Sequence, residues 1–269
     1  MAGIFFVIKS YKFKFFQKGH VSSFMYTREL MVLPSDASCQ GTIKLRSLLD
    51  YFQDTAELAV NDIEGTAVEL AAKGYAWVLT KYEIDFTGKL PVLDEKFFIH
   101  TFHDPSHGYN TLRVFQVESQ NGAPIVYAKT SWLLLDLAAG RPVKAIAHIP
   151  GISERDTESI NPEFRDIPDD ENVILEAVRT VKFHELDYNS HVNNAVYFEW
   201  MFDETPVDFL THELKSISAS FRSGAKFNEK VTIQIAKQDD FTFVYKVIRE
   251  NVKKPSANFL CVWKARKEA

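Results

Sequence analysis

The sequence predicts an α+β fold built from two similar domains, in each of which one long helix packs against an antiparallel sheet. A stretch with helical apolar spacing is followed by several stretches rich in β-branched and aromatic residues, and this order occurs twice along the 269 residues. Weak internal similarity between the two halves indicates a duplication. A chain of this length has room for roughly two domains of about 100 to 150 residues each.

The first half begins with a predicted amphipathic helix of about twenty residues. Apolar residues recur at three- and four-residue spacing from Leu45 to Ile63, and charged residues such as Lys44 and Asp50 occupy the other face. The β-branched and aromatic stretches after it predict strands near residues 75–86, 95–103, 109–118 and 124–136. A hairpin turn is expected at Asn121-Gly122.

The second half repeats this order, with a helix near residues 191–204 and strands near 214–222, 229–237, 241–250 and 257–266. The loop from Asp36 to Gly41 precedes the first helix as the loop from Asp187 to Val192 precedes the second, which aligns Asp36 with Asp187. The segment from Pro150 to Asn172 is dense in Glu, Asp, Pro and Ser and lacks an apolar period, as is typical of a linker. We therefore divide the domains near residue 160, into residues 21–160 and 161–269.

Residues 1–20 are predicted to form an N-terminal extension outside the repeated unit. The apolar run from Gly3 to Ile8 is too short to span a bilayer and is followed by lysines rather than by a small-residue cleavage site. Aromatic and lysine residues alternate from Tyr11 to Phe16, which fits either an extra strand or a loosely held extension. No other segment is long and apolar enough to predict a membrane span.

The composition predicts a globular protein in a reducing compartment. Apolar residues make up 46% and charged residues 25% of the chain, which argues against disorder. The net charge of -5 gives no reason to expect nucleic-acid binding. Cys39 and Cys261 are the only cysteines, so no disulfide framework or multi-cysteine zinc site can form, and we expect a cytoplasmic location.

The most informative stretch is Asp187-Tyr188-Asn189-Ser190-His191-Val192-Asn193-Asn194, directly before the second helix. It places a carboxylate, a carboxamide and an imidazole within five residues, and these groups can activate water. The helix that follows is apolar on nearly every side, which is typical of a helix enclosed by other structure. Asp, Asn and Ser are also common capping residues, so a purely structural turn is the alternative interpretation.

This block resembles the signature of the acyl-acyl-carrier-protein thioesterases of plant plastids and bacteria, whose motif is Asp-x-Asn-x-His-Val-Asn-Asn. The likeness continues through Tyr197, Trp200 and Pro206, and upstream in the stretches 74–81 and 131–136. The resemblance implies a hot-dog fold repeated twice, with the two sheets joined side by side.

By this resemblance, Asp187, Asn189 and His191 are the catalytic residues. His191 would polarise or deprotonate water, Asp187 would orient the imidazole and stabilise its charge, and Asn189 would hold the water or the carbonyl. No metal or organic cofactor is needed for this chemistry, and the other histidines show no metal-ligand spacing.

Helix-start N–H groups are expected to stabilise the oxyanion that forms when a thioester is attacked. The candidate donors are Val192, Asn193 and Asn194. The two asparagine side chains fit equally well as hydrogen-bonding groups of the site and as caps for the buried helix start.

One position departs from the family. Plant members have a Glu-Cys pair where this chain has Gly224-Ala225, so neither a carboxylate nor a thiol is available there. Glu199, eight residues after His191, is a candidate replacement because it points roughly the same way from the helix. A solvated or tyrosine-paired side chain is the alternative for Glu199. Cys39 belongs to the first copy, which lacks the Asn and His, so a cysteine nucleophile is not expected.

The asymmetry between the copies predicts that the second domain hydrolyses the thioester while the first lines an apolar slot for the acyl chain. Trp77, Phe86 and Trp132 are candidate walls of this slot, with ordinary sheet core as the alternative. The partner implied by the resemblance is acyl carrier protein, an acidic protein that requires a basic approach surface. Candidates for that surface are Arg179, Lys182, Arg222, Lys226 and the C-terminal lysines.

The predicted function is therefore hydrolysis of acyl-acyl-carrier protein to a free fatty acid in fatty acid biosynthesis. One alternative is a hot-dog acyl-CoA thioesterase, which differs in its carrier. Another is a non-catalytic acyl-thioester-binding protein, which the Gly224-Ala225 departure favours. A dehydratase is not supported, because no second acid-base pair is visible. The sequence does not decide between a monomer and a homodimer.

Overall fold

The computed structural model describes residues 25–152 and 160–266, so the predicted N-terminal extension over residues 1–20 lies outside the described residues. The first half of the chain contains β1 (Tyr26–Met31), α1 (Leu45–Leu58), α2 (Ala67–Ala72), β2 (Tyr75–Phe86), β3 (Lys96–His107), β4 (Asn110–Ser119), β5 (Pro124–Asp136) and β6 (Arg141–Val143). The second half contains β7 (Val173–Thr180), α3 (Asn194–Asp203), β8 (His212–Phe221), β9 (Lys230–Asp239), β10 (Thr242–Arg249) and β11 (Ala257–Ala265).

One antiparallel sheet of 11 strands runs through both halves, in the order β1-β3-β4-β5-β2-β8-β11-β10-β9-β7, with β6 paired to β5. The halves meet where β2 pairs with β8, from Lys81 opposite Ser220 to Asp85 opposite Ser216. Counted outward from this junction, the first half has the order β2, β5, β4, β3, β1 and the second half has the order β8, β11, β10, β9, β7. Corresponding strands of the two halves therefore occupy the same relative positions. The α+β class and the side-by-side joining of the two sheets are confirmed.

The two long helices pack next to each other on the sheet. Phe52 of α1 is fully buried and stacks on Phe115 of β4, with ring centroids 4.7 Å apart. Phe198 of α3 is equally buried and meets Phe259 of β11 edge-on at 5.1 Å. Burying a side chain of this size contributes roughly 1.5–3 kcal/mol, so these contacts fix each helix on its own half of the sheet.

The first helix is shorter than the predicted twenty residues. It ends at Leu58, and a 3-10 turn over Asn61–Ile63 follows. The chain then turns at Glu64, which has φ 54°, and at Gly65, where an added Cβ would lie 3.1 Å from the Cβ of Val60. The apolar residues after Leu58 therefore belong to a turn that leads into α2, whose start is closed by a capping box.

Two edge strands, β1 and β7, were not predicted. β1 pairs with β3, and β7 pairs with β9. An edge strand has one neighbour only, and β7 has no fully buried residue along its length. Apolar residues occur at consecutive positions of β7, so its sequence lacks the apolar-polar alternation that predicts a half-buried strand.

The predicted linker is fastened to the sheet after residue 160. Arg165 Nη1 lies 2.8 Å from the Asp85 carboxylate, and its backbone N–H donates to the Glu83 carboxylate. Lys129 Nζ lies 3.4 Å from the same Glu83 carboxylate and donates to the backbone oxygens of Asn161 and Glu163. Burial raises the pKa of Asp85, and the Arg165 guanidinium opposes that rise.

No helix among the residues that the structure describes is both long enough and apolar enough to cross a membrane.

Candidate active site

The three predicted catalytic residues lie on a tight loop over residues 187–191, immediately before α3, which is called the catalytic loop after this prediction. A β-bridge between Leu186 and Val192 closes the base of this loop. Inside it, the Asp187 N–H donates to the His191 carbonyl at 2.8 Å, and the Ser190 N–H donates to the Asp187 carbonyl at 3.0 Å. Ser190 has φ 61°, in the left-handed region that closes such turns. The loop is thus held by its own backbone.

The Asp187 carboxylate supports the loop from within. Its Oδ1 accepts the N–H of Asn189 at 2.8 Å and the N–H of His191 at 3.3 Å. Across the described ranges, Oδ2 makes no hydrogen bond, and the carboxylate is not bonded to the His191 ring. The carboxylate therefore shapes the backbone that carries His191, and one of its oxygens remains available to the site.

The N–H groups at the start of α3 are mostly used by the protein. Val192 and Asn193 donate to backbone oxygens of neighbouring segments, each at 2.9 Å. The Asn193 side chain acts as an N-cap, since its Oδ1 accepts the Ala195 N–H at 2.8 Å. Of the N–H groups from Val192 to Ala195, that of Asn194 alone has no acceptor within the described residues. It is the donor that this helix start leaves for a ligand oxygen.

The position where the family has a carboxylate is filled by the His191 ring. A Cβ built on Gly224 would lie 2.8 Å from both Cβ and Cδ2 of His191, so no side chain fits there without displacing the imidazole. The neighbouring Ala225 is fully buried, and both its backbone carbonyl and its backbone N–H are hydrogen-bonded. Its carbonyl accepts the Val192 N–H, and its N–H donates to the Tyr197 hydroxyl at 2.9 Å. Burial raises the pKa of Tyr197 to about 12, so the phenol is neutral and can accept that bond.

Glu199 and Phe86 lie away from the catalytic loop. Glu199 is exposed, and its Oε2 lies 2.8 Å from Arg46 Nη1 of α1. Both residues line a groove of about 1110 Å³ that contains none of the three predicted catalytic residues.

The first half carries a structural counterpart of the catalytic loop, in a different register from the one read off the sequence. A bridge between Ala37 and Ile43 closes it, and the Gln40 N–H donates to Ser38 Oγ at 3.2 Å, as the Asn189 N–H does to Asp187. The structure thus pairs Ser38 with Asp187, Gln40 with Asn189 and Thr42 with His191. The alignment of Asp36 with Asp187 was wrong by two residues, because the hydrogen bonds that define the loop cannot be read from the amino-acid sequence.

A smaller cavity of about 90 Å³ is lined by residues of the first half of the chain and, on the side of the catalytic loop, by Tyr188. Two of the three predicted acyl-slot residues, Trp77 and Trp132, are in its wall, and Tyr188 brings the loop to it. The remaining lining residues are Gln53, Ala56, Glu57, Val60, Ala67, His103, Thr111, Arg113 and Ile152. Tyr188 occurs in the sequence motif, but nothing in its spacing assigns it to a pocket.

Neither cysteine lies on the catalytic loop or in the wall of the smaller cavity. Cys39 is exposed, and Cys261 is buried in the core, where burial raises the pKa of its thiol. No group of three or more His, Cys, Asp or Glu side chains within residues 25–152 and 160–266 could hold a metal ion.

Comparison with known families gives a match to each half of the chain. Residues 23–149 match the N-terminal domain of the acyl-ACP thioesterases, and residues 169–264 match their C-terminal domain.

Curated plant proteins show the same likeness. The chain is 24% identical over 217 residues to acyl-acyl-carrier-protein hydrolase FATB2, chloroplastic, of Cuphea viscosissima, covering 74% of the chain and 52% of that protein. It is also 24% identical over 220 residues to the chloroplastic palmitoyl-acyl carrier protein thioesterase of Cuphea hookeriana, covering 74% and 51%. The chain thus spans about half the length of these relatives.

Solved structures share the fold. An acyl-ACP thioesterase from Bacteroides thetaiotaomicron superposes with a TM-score of 0.80 at 20% identity, covering 89% of this chain and 98% of that one. The 12:0-ACP thioesterase from Umbellularia californica gives a TM-score of 0.78 at 14% identity, covering 92% and 100%.

Proposed function

The chain belongs to the acyl-ACP thioesterase family, and on this basis we propose that it hydrolyses the thioester of acyl-acyl-carrier protein to a free fatty acid and the carrier, in fatty acid biosynthesis. The observation that carries this proposal is the catalytic loop, which presents His191 and the free N–H of Asn194 at the start of α3, beside a cavity that the first half lines and Tyr188 borders.

The reaction needs a base and an oxyanion donor. The His191 imidazole takes a proton from water as the water oxygen bonds to the thioester carbonyl carbon, and the carbonyl oxygen becomes an oxyanion that the Asn194 N–H binds. Collapse of this intermediate breaks the C–S bond, and the thiol leaves with the proton from the imidazolium. A positioned base contributes roughly 10² to 10⁴ in rate, and one oxyanion donor about 10² to 10³. In this scheme Asp187 stabilises the imidazolium, and Asn189 holds the water or the carbonyl.

The acyl group is proposed to enter the cavity that Trp77 and Trp132 help to line. This assigns the pocket to the first half of the chain and hydrolysis to the second. Tyr188 is the residue of the catalytic loop that borders the cavity, so it connects the two parts of the site.

Acyl carrier protein is the proposed partner. Arg222 and Lys226 are exposed and flank the Gly224-Ala225 turn, which contacts the His191 loop directly. Two cations beside the site supply a basic approach for an acidic carrier. Arg179 is less available to an acidic carrier, because its Nη1 lies 2.8 Å from the Asp203 carboxylate. We also propose a cytoplasmic location, which the two free cysteines support.

A hydrolysis panel tests this function. Purified protein is given acyl groups of graded length on acyl carrier protein and on CoA, and release of free thiol is followed. We expect turnover with a higher kcat/KM on the carrier protein for the same acyl group. A large preference for CoA would favour the acyl-CoA thioesterase instead. Binding of acyl thioesters without any hydrolysis would favour the non-catalytic binding protein that Gly224 suggested.

A further inference from the structure

The cavity beside the catalytic loop has a polar lining for a space that should hold a hydrocarbon chain. Besides Tyr188 and the two tryptophans, five of its residues have polar or charged side chains. They are Gln53, Glu57, His103, Thr111 and Arg113. Buried polar groups are normally hydrogen-bonded, so the partners of these groups indicate what the cavity accepts.

Thr111 is the most informative of the five. It is 5% exposed, and its hydroxyl makes no hydrogen bond in the parts of the chain that the structure describes. Gln53, on the facing side of the cavity in α1, is half-buried, and its amide likewise makes no hydrogen bond there. A buried hydroxyl that points into a cavity and has no protein partner is available to a ligand atom.

Glu57 and Arg113 place opposite charges in the same wall. Glu57 Oε1 accepts the Ala67 N–H at 2.7 Å, and the attraction of Arg113 opposes the rise in the pKa of Glu57 that burial causes. Arg113 Nη1 donates to Thr101 Oγ1 at 3.2 Å. These contacts fix an acceptor and a donor at the cavity and nearly balance its charge. This balance of charges favours a ligand with a neutral polar group over a charged ligand.

The volume of the cavity favours a short acyl chain. At about 90 Å³ it is smaller than an engineered apolar cavity of ~150 Å³ that holds benzene. A long saturated chain would exceed this space and would leave the polar lining without partners.

We propose that this cavity selects a short acyl chain that bears a hydroxyl group, with Thr111 as a specificity-determining residue. The inference rests on the proposed thioesterase function and concerns its substrate. A hydroxyl both donates and accepts, so it matches a wall that contains the Thr111 hydroxyl, the Gln53 amide and the Glu57 carboxylate. An enzyme pocket built to hydrogen-bond a substrate hydroxyl discriminates strongly against the analogue that lacks it.

The test compares butanoyl, 3-hydroxybutanoyl and 4-hydroxybutanoyl groups on acyl carrier protein, with palmitoyl as the long-chain reference. We expect at least one hydroxylated substrate to have a kcat/KM about tenfold or more above that of butanoyl, which is far below the ~10⁴-fold of a fully committed site. Equal or higher kcat/KM for butanoyl, or a preference for palmitoyl, would overturn the inference and leave the thioesterase function standing. No hydrolysis of any of the four would also overturn the inference, and no hydrolysis of any acyl group in the graded-length panel would refute the proposed function.

Two variants tie the preference to the cavity. Thr111→Val removes the hydroxyl on a strand that favours β-branched residues, and we expect the ratio of kcat/KM for the hydroxylated substrate to kcat/KM for butanoyl to fall about tenfold. Thr55→Val is the matched control, because Thr55 is also buried but bonds to the Tyr51 carbonyl within α1, outside the cavity. We expect it to keep the wild-type preference. If Thr111→Val fails to fold, Gln53→Leu provides the same comparison. An unchanged preference in the folded cavity variant would overturn the assignment.

Discussion

At the scale of single residues, Asp187 combines a structural and an electrostatic function in one carboxylate. Its Oδ1 accepts two N–H groups of the loop, and one of them belongs to His191, the residue proposed to activate water. An alanine at this position would remove both functions together. An asparagine keeps an oxygen acceptor and removes only the charge.

We therefore expect Asp187→Asn to keep the wild-type melting temperature within about 2 °C, because the loop hydrogen bonds persist. Turnover should fall about 10²-fold, because the imidazolium loses its stabilising charge. Thermal unfolding and steady-state hydrolysis of one acyl-carrier substrate measure the two effects. A variant that melts normally and works normally would show that the charge of Asp187 is not used.

Gly224 is the second residue whose effect can be separated from general stability. Gly224→Ala places a methyl group 2.8 Å from the His191 ring, so the imidazole must move. Gly88→Ala is the matched control, since its added Cβ would lie 2.5 Å from the Pro124 carbonyl oxygen, away from the catalytic loop. Both substitutions should cost roughly 1–3 kcal/mol in stability.

Only Gly224→Ala should lower the activity of the folded protein, by about tenfold or more. The comparison is made on kcat at a temperature where both variants are folded. Equal activity of the two variants would mean that the position of His191 against Gly224 has no catalytic importance.

The sequence predicts which residues form this candidate site, but it does not predict their geometry. The motif placed a carboxylate, a carboxamide and an imidazole before an enclosed helix, and the structure puts all three on one loop at that place. The N–H groups of Val192 and Asn193 are hydrogen-bonded to backbone oxygens of other segments. The sequence does not predict these bonds, because the segments meet only in the folded chain. The amino-acid sequence likewise does not predict the close approach of Gly224 to His191.

At the scale of elements, α3 has two sides that face different spaces. Its start carries the catalytic loop, and its exposed side carries Glu199, which pairs with Arg46 of α1 along the large groove. Glu199 was a candidate for the missing carboxylate because it lies eight residues after His191. Residues at this spacing point roughly the same way only along a continuous helix, and His191 precedes the first residue of α3.

Glu199→Gln should therefore leave turnover within about twofold of wild type. Its ion pair is exposed, so the stability change should stay below about 1 kcal/mol. Steady-state hydrolysis and urea unfolding measure these quantities, with Asp187→Asn as the positive control. A loss of turnover as large as that of Asp187→Asn would restore Glu199 to the catalytic group.

Most elements were predictable because they have strong local patterns. The predicted bounds 75–86 and 124–136 agree with β2 and β5, whose β-branched and aromatic residues are bounded by clear turns. α2 and β6 are short and were not predicted, because six or three residues do not reveal a period. The prediction fails where an element depends on its neighbours rather than on its own residues.

At the scale of the whole molecule, the segment after residue 160 fastens the junction between the two halves. Arg165 reaches the carboxylates of Glu83 and Asp85 on β2, the strand that pairs with β8. Glu83 is buried and Asp85 is partly buried, so removing Arg165 leaves two neighbouring carboxylates with Lys129 as the remaining cation beside Glu83. The internal repeat predicted two halves, but it gave no signal for this attachment.

Arg165→Ala should lower the free energy of unfolding by about 3 kcal/mol at pH 7, at the low end for a buried pair because 32% of the Arg165 side chain is exposed. Burial holds the folded-state pKa of Asp85 above its unfolded value, so the stability of the folded state falls as pH rises through that interval. Loss of Arg165 raises this pKa further. The deficit of the variant should therefore shrink as pH falls from 7 to 4.5, because Asp85 takes up a proton more readily in the variant than in the wild type.

Urea unfolding of wild type and variant at both pH values measures this change. Arg179→Ala is the control, because its carboxylate partner Asp203 is exposed and its loss should cost below about 1 kcal/mol at pH 7. A deficit that stays constant or grows on acidification would contradict the account of Asp85.

The central claim is that the loop before α3 hydrolyses an acyl thioester through the imidazole of His191. The most direct test is the kcat of His191→Ala on the best acyl-carrier substrate, measured alongside its melting temperature. We predict a folded variant whose kcat is at least about 10²-fold below wild type. A folded His191→Ala protein with near-wild-type kcat would contradict the claim, and the reaction would then have to be assigned to other residues.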